Sequence, residues 1–328
     1  MADLDVLHYK YMTATAQKFR YPQFRLQAAI PTEDIEGVVA EWDIYEPSIA
    51  IDKQIVREDG HSVAVELEQV GHQVAKMLTT FHSKQMAASL LAQLRAMGSK
   101  ERNARDTLVR ETGAIQQRYG ALFDEWMIAQ CLAGSLAYTV GEEKVPQTIT
   151  YAVQTATAGT TWATATTDIL TDIRTQKKAI RDQTGMEPTD AWCNGTVINQ
   201  ILKNTTYQNW AGHTVEGARQ VETGTVARFA GLDWHEYDTT YKLSATVTQF
   251  IADNKIIFTP KFDASWIAMQ RGSVQVPNDN NTDFEEVIGP AVWSRVSNDP
   301  VAVTLWHKYS RLCVIKVPKA VMYFQTVP

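Results

Sequence analysis

The sequence predicts an α+β protein, on three observations. A helical stripe runs through residues 103–133, an alternating apolar ribbon folds about Asp59-Gly60, and an α/β texture begins near residue 166 before the chain returns to β-branched sequence at its end. The 328 residues are 45% hydrophobic and 21% charged, which suits a folded globular chain of about two domains or one large one.

Each element has its own warrant. Residues 1 to about 30 mix aromatic and basic groups and predict a short helix, then an extended arm ending at Pro31. A helix is expected to restart after Thr32, with Ile35 and Val38 or Val39 facing inward. Over residues 44–70, "SIAIDKQIV" leads into "REDGH" and "SVAVELEQV" leads out. Gly60 accepts the positive φ of a tight hairpin turn, and Val63, Val65 and Leu67 alternate with Ala64, Glu66 and Glu68. An isolated two-stranded ribbon is marginal in water, so this one needs a surface to lie on.

Leu90, Leu91, Leu94 and Met97 form one helical stripe, broken at Gly98-Ser99. A second runs Leu108, Ile115, Tyr119, Leu122, Trp126, Ala129 and Leu132. The spacing predicts a helix over about 103–133, roughly 45 Å long. Gly113 and Gly120 each cost it about 1 kcal/mol, so packing must hold it, and Gly134 suits its end. Residues 141–166, rich in Thr and Ala, predict strand plus loop. "TTDILTDIRTQKKAIRDQTG" is an amphipathic helix starting at Asp168 and ended by Gly185. "PTDAWCN" predicts a buried strand, "GTVINQILKNTTY" a helix, and "VARFAGLDWHEYD" a strand with a glycine kink. "YKLSATVTQFIADNKIIFTP" predicts two strands about Asp253-Asn254, and the final apolar stretch predicts strands split by Pro318.

Several functions are disfavoured. A net charge of −6 advertises no nucleic-acid surface. Cys131, Cys193 and Cys313 lie far apart, which fits a reducing compartment better than a zinc knuckle or a disulfide framework. The first residues carry no apolar core of signal-peptide length, and no run of about 18 apolar residues predicts a membrane helix. Phosphate-loop, dinucleotide, zinc-protease and serine-hydrolase motifs are missing, and none of the seven histidines has another at i+3 or i+4. The nine tryptophans are spread over every segment and suit core packing or subunit contact.

Two clusters could carry chemistry. His61 and His72 flank Glu66 and Glu68 on the ribbon, where a metal site competes with a solvated charged strand face. The stretch 229–241 packs Asp233, His235, Glu236 and Asp238 together. In a strand, however, Asp233, His235 and Tyr237 share one face, and Leu232, Trp234, Glu236 and Asp238 the other. His235 then cannot converge with Glu236 or Asp238 without a bulge. An amphipathic surface strand is the expectation, with no catalytic, cofactor or metal residue.

The order of arm, hairpin, long helix, α/β insertion and closing strands resembles the major capsid proteins of tailed bacteriophages, and within them the lambda-type E family with its Hong-Kong-97-type fold. The resemblance is carried by "YEPSIAIDKQIVREDGHS", "ALFDEWMIAQCLAGSL", "DILTDIRTQKKAIRDQTGMEPTDAWCNGTVINQILKN", "FAGLDWHEYDTTY" and "SNDPVAVTLWHKYSRLCVIKVPKAVMYFQTV". One departure is the stretch 75–102, which reads as helix where lambda-type chains are often Pro-rich.

The resemblance implies an N-terminal arm over 1–43 and an extended hairpin loop over 44–80. It further implies a peripheral domain with a spine helix over 81–165, an axial domain over 166–270 and closing peripheral strands over 271–328. It implies a non-enzymatic virion subunit, present in host cytoplasm during assembly, that forms hexamers and pentamers of an icosahedral shell around double-stranded DNA. The partners it implies are copies of the chain, a scaffolding protein, a portal and a cementing protein, with no membrane. The hairpin residues Arg57, Glu58, Asp59, Gly60, Val63, Val65 and Leu67 are the implied inter-subunit contacts. A cellular encapsulin-like nanocompartment shell and a soluble enzyme using the acids at 233–238 stand as the alternatives.

Overall fold

The computed structural model describes residues 9–45, 70–86, 99–140, 145–243, 245–277, 284–298 and 301–328, with positions 89 and 93. The ribbon residues Arg57 to Leu67 and the stripe from Leu90 to Met97 lie outside them. The chain divides into two compact units. One takes Met1–Glu41, Val74–Ile128 and Ala268–Val314, and the other Trp42–Gln73, Ala129–Ile267 and Ile315–Pro328.

In the first unit, helix α1 (Tyr9–Lys18) and a short helix α2 (Arg25–Ala29) precede strand β1 (Thr32–Asp34), and strand β2 (Val39–Tyr45) leaves that unit after Glu41. The helix expected after Thr32 is therefore strand. β1 instead pairs in parallel with β14 (Ile267–Arg271), Thr32 opposite Met269, and local capping cannot compete with that ladder. The short helix expected within residues 1–30 is α1, whose Met12 and Ala16 share an apolar cluster with Ala104, Leu108, Ile115, Val292 and Leu305, while α2 is helix where extended chain was expected before Pro31.

β2 pairs with β3 (Val70–Lys76), and β4 (Leu78–Met86) follows after Met77 alone. Residues 78–86 thus correct the helical reading of 75–102. β4 runs antiparallel to β18 (Val301–Ile315), Val303 opposite Met86 and Arg311 opposite Leu78. β18 also carries β17 (Ala291–Asn298), and with β1 and β14 these make a five-stranded sheet. β15 (Ser273–Pro277) and β16 (Phe284–Ile288) form a separate hairpin.

The long helix is present as α3 (Ser99–Gln116), a π-helical turn over Gln117–Ala121, and α4 (Leu122–Leu132). Its two glycines have packing reasons. A Cβ on Gly113 would lie 2.7 Å from the Phe19 ring, and one on Gly120 would strike the Gln116 side chain.

The π turn meets the unit's buried ion pair. Arg311, fully buried, donates from Nε to Asp124 Oδ1 at 2.7 Å and from a terminal nitrogen to the Tyr119 carbonyl at 2.6 Å. It also reaches Thr80 Oγ1 of β4 at 2.5 Å and the Tyr309 carbonyl at 3.0 Å. Neighbouring Glu125 accepts from the Leu26 and Gln27 amides at 3.0 and 2.7 Å, so its carboxylate caps α2.

The second unit continues with β5 (Ser135–Val140), β6 (Val145–Thr150) and β7 (Gln154–Thr157). After helix α5 (Ile169–Thr184) come β8 (Asp190–Cys193) and helices α6 (Gly195–Lys203), α7 (Thr205–Gly212) and α8 (Val215–Thr223). Asp168 and Gly185 cap α5 as expected, Gly185 at φ 70°. Strands β9 (Arg228–Phe229), β10 (Leu232–Glu236) and β13 (Lys255–Thr259) join β7, β8 and β19 (Met322–Gln325) in a sheet of order β7-β19-β13-β8-β10-β9. The helices cover one face, burying Ile173, Ile180, Val197, Ile201 and Tyr207 against Ala191, Trp234, Phe258 and Phe324.

Two sequence readings change here. The glycine kink in "VARFAGLDWHEYD" is a two-residue hairpin turn, with Ala230 at φ 56° and Gly231 at φ 71°. The expected pair of strands about Asp253-Asn254 is three. β11 (Thr240–Leu243) pairs with β12 (Thr246–Gln249), whereas β13 pairs with β8 and β19. The closing strands are split at Pro318 as expected, by a 3₁₀ turn over Pro318–Ala320, with β18 in the first unit's sheet and β19 in the second's. No helix among the described residues is long and apolar enough to cross a membrane.

Candidate functional site

The acid-rich strand β10 is the densest chemistry in the sequence, and its ladder decides what each group does. It lies between β8, parallel, and β9, antiparallel. Leu232 and Trp234 point into the helix-covered core, while Asp233 is exposed and His235 half-buried. His235 Nε2 lies 2.7 Å from Asp190 Oδ1 of β8, and its ring stacks on Trp192 with centroids 4.3 Å apart. Burial alone would raise the Asp190 carboxyl. Hydrogen bonds from His235 and Thr189 outweigh it and hold the group below the usual carboxylate range. The Asp233 carboxylate lies 3.8 Å from Arg228, in solvent.

The other face serves backbone. Asp238 Oδ1 accepts the Gly195 amide at 2.8 Å, at the first turn of α6. Asn194 caps the same turn by accepting the Val197 amide, and its own amide donates to Asp253 and to Gln249 at 3.1 Å. A Cβ at Gly195 would lie 2.9 Å from Asp238 and 3.0 Å from Glu236, so glycine lets both carboxylates approach the helix end. His235 and the pair Glu236–Asp238 accordingly face apart, as strand alternation requires. Cys193, opposite Glu236 in the ladder, is buried, and burial with Glu236 and Asp238 nearby pushes its thiol up, away from a reactive thiolate. Among the described residues no three His, Cys, Asp or Glu side chains converge as metal ligands. On the ribbon side, His72 Nδ1 sits 3.0 Å from Asp43, while His61, Glu66 and Glu68 lie outside the described residues.

With these acids engaged in capping and pairing, comparison with known proteins identifies the chain. The family model for phage major capsid protein E matches residues 56–306. The chain belongs to the phage major capsid protein E family. No curated protein matches it. Among solved structures, a prophage capsid protein of E. coli CFT073 superposes with a TM-score of 0.59 at 12% identity, over 96% of this chain and 95% of that one. A phage-related protein from Bordetella bronchiseptica RB50 gives 0.58 at 11% identity, over 97% and 96%. The mature capsid of bacteriophage PhiM1 gives 0.52 at 11%, over 94% and 88%. The fold is of the Hong-Kong-97 type, and this phage major capsid protein is a structural component of a multi-copy shell and of the virion.

Sequence reasoning missed two features of the first unit. One is Arg311, read only as part of an apolar tail. The other is β4, "LTTFHSKQM", in which residues 79–83 alternate exposed and half-buried. Its Thr-Thr-Phe run is the strand signal that the helical reading passed over.

Proposed function

We propose that the chain assembles into hexamers and pentamers of an icosahedral shell enclosing double-stranded phage DNA, and performs no catalysis. The observation that carries this reading is the family match over 56–306, from within the ribbon to the long strand β18. The charged groups of β10 support it, because they are engaged in holding the fold.

In this reading the second unit supplies the axial domain and the first the peripheral domain, with α3 and α4 as spine. The ribbon residues Arg57, Glu58, Asp59, Gly60, Val63, Val65 and Leu67 overlap a neighbouring subunit, where burial of the apolar row drives association. A net charge of −6 suits a container that encloses DNA without gripping it. A scaffolding protein, a portal and a cementing protein are the remaining partners, and assembly takes place in host cytoplasm. Negative-stain microscopy of the purified chain tests the reading. Uniform shells or capsomer rings are expected, and a monodisperse small oligomer under all assembly conditions would overturn it.

A further inference from the structure

The first unit's sheet has an open edge at β4. Residues Thr79–Gln85 are laddered on one side, by β18. Among the described residues nothing else hydrogen-bonds to their backbone. Folded proteins blunt such edges with charges, prolines, bulges or short length. β4 is nine residues long, with one lysine and no proline. An edge left open in this way is a template for a further strand.

Its two faces differ. On one, Phe81 is 54% exposed and stacks on Trp306 at 5.2 Å and Trp293 at 5.9 Å. On the other, Lys84 pairs with Glu111 of α3, and His82 stacks on Tyr119, over which Arg118 also lies. An added strand would therefore need apolar side chains in one phase and acidic ones in the other.

One segment of the chain has that composition. Val63, Val65 and Leu67 alternate with Ala64, Glu66 and Glu68. We propose that the β4 edge takes up residues 61–68 of a second copy as an added strand. The valine–leucine row then extends the Phe81–Trp306 strip, and the glutamates lie beside Lys84, His82 and Arg118. The proposal rests on the shell reading above and names the acceptor surface for the ribbon. Chain geometry favours a second copy as donor. Only Met77 separates β3 from β4, too short a link to fold one strand back along the other. β3 is itself seven residues of extended chain, about 23 Å, which an intrachain return would have to retrace.

Cysteine cross-linking of the full-length chain tests this directly. The native Cys131, Cys193 and Cys313 are all buried, and a disulfide needs Cα atoms about 4.4–6.8 Å apart, the spacing of directly opposed strand residues. Ser83→Cys, which shares the face of Phe81, is combined in turn with Val63→Cys, Val65→Cys, Leu67→Cys, Ala64→Cys or Glu66→Cys. After assembly and mild oxidation, at least one of the three apolar-row partners should give a reducible ladder of chain multimers. The Ala64 and Glu66 partners and the single variants should give none.

Particles without a ladder, equal cross-linking in both phases, or a fast-migrating monomer with an internal bridge would each overturn the edge proposal and leave the shell reading standing. Failure of the parent chain to form any multi-copy particle would overturn both. Phe81→Glu adds an independent arm. It should raise the protein concentration needed for assembly at least tenfold with unchanged monomer melting, and unchanged assembly counts against the proposal.

Discussion

β10 and β4 are both partly exposed strands, and they behave in opposite ways. β10 carries Asp233, His235 and Glu236, with Asp238 just beyond, yet it is paired on both edges, and Asp190 and the first turn of α6 engage its groups. β4 carries one lysine and a phenylalanine, yet among the described residues one edge lacks a ladder partner and its aromatic ring is half in solvent. The difference teaches that availability for binding is a property of ladder position and satisfaction, more than of how reactive a stretch looks. A carboxylate already accepting an amide hydrogen bond has little left to offer a substrate, whereas an unpaired strand edge offers a row of donors and acceptors to another chain.

The comparison can be broken most forcefully under β4. Arg311 ties that strand to the spine through Thr80 and Asp124. Arg311→Ala should cost about 3–5 kcal/mol, because Asp124 is left as an uncompensated buried charge. Urea unfolding followed by circular dichroism reads this, and a loss under 1 kcal/mol would show that the pin does not hold the edge.

Next comes acid. His307 of β18, opposite His82 of β4, is pushed down to about 3 by burial, with Arg311 adding to it. The unfolded imidazole, near 6.5, binds a proton first. The stability tied to the neutral ring is therefore complete above about pH 6.5 and is lost as pH falls toward 3. Urea midpoints taken between pH 7 and 4 should fall, and His307→Gln should flatten that decline.

On β10 the effects should be smaller. Asp190→Asn removes a charged hydrogen-bond partner of His235 and should cost about 1 kcal/mol at neutral pH. Because the carboxyl is held below its usual range, the contribution is present above about pH 4 and disappears as pH falls through the folded value. The difference between wild type and variant should vanish in strong acid. Gly195→Ala should also cost about 1 kcal/mol, since its methyl displaces the carboxylates at the start of α6. A loss of several kcal/mol at either position, measured by thermal melting, would mark β10 as a strained site.

The smallest effect is at Asp233. Its pairing with Arg228 is exposed on both sides, so Asp233→Ala should fall within about 0.5 kcal/mol of wild type and leave assembly unchanged. Altered assembly would mean that β10, too, presents a docking surface.

Much of this was legible beforehand where the signal is local. The stripe from Leu108 to Leu132, the caps at Asp168 and Gly185, and the alternation that separates His235 from Glu236 and Asp238 all follow from short-range geometry. Thr32 and the stretch 78–86 were misread for one shared reason. Both are strands held by partners far along the chain, β14 and β18, and helical spacing in a short window says nothing about them. Gly113 and Gly120 looked like defects in a helix, and the Phe19 ring and the Gln116 side chain account for them.

The amino-acid order alone determined the periodic elements, their caps and the lack of any recognised catalytic motif, because each depends on residues within a few turns or one strand length of each other, and the succession of those elements carried the family resemblance. Tertiary structure decided which charges are satisfied and which edge stays open. Asp190 meets His235 across 45 residues and Arg311 meets Asp124 across 187. Such pairs exist only once the sheets have formed, and among the described residues the ladders that satisfy β10 on both sides leave β4 with one.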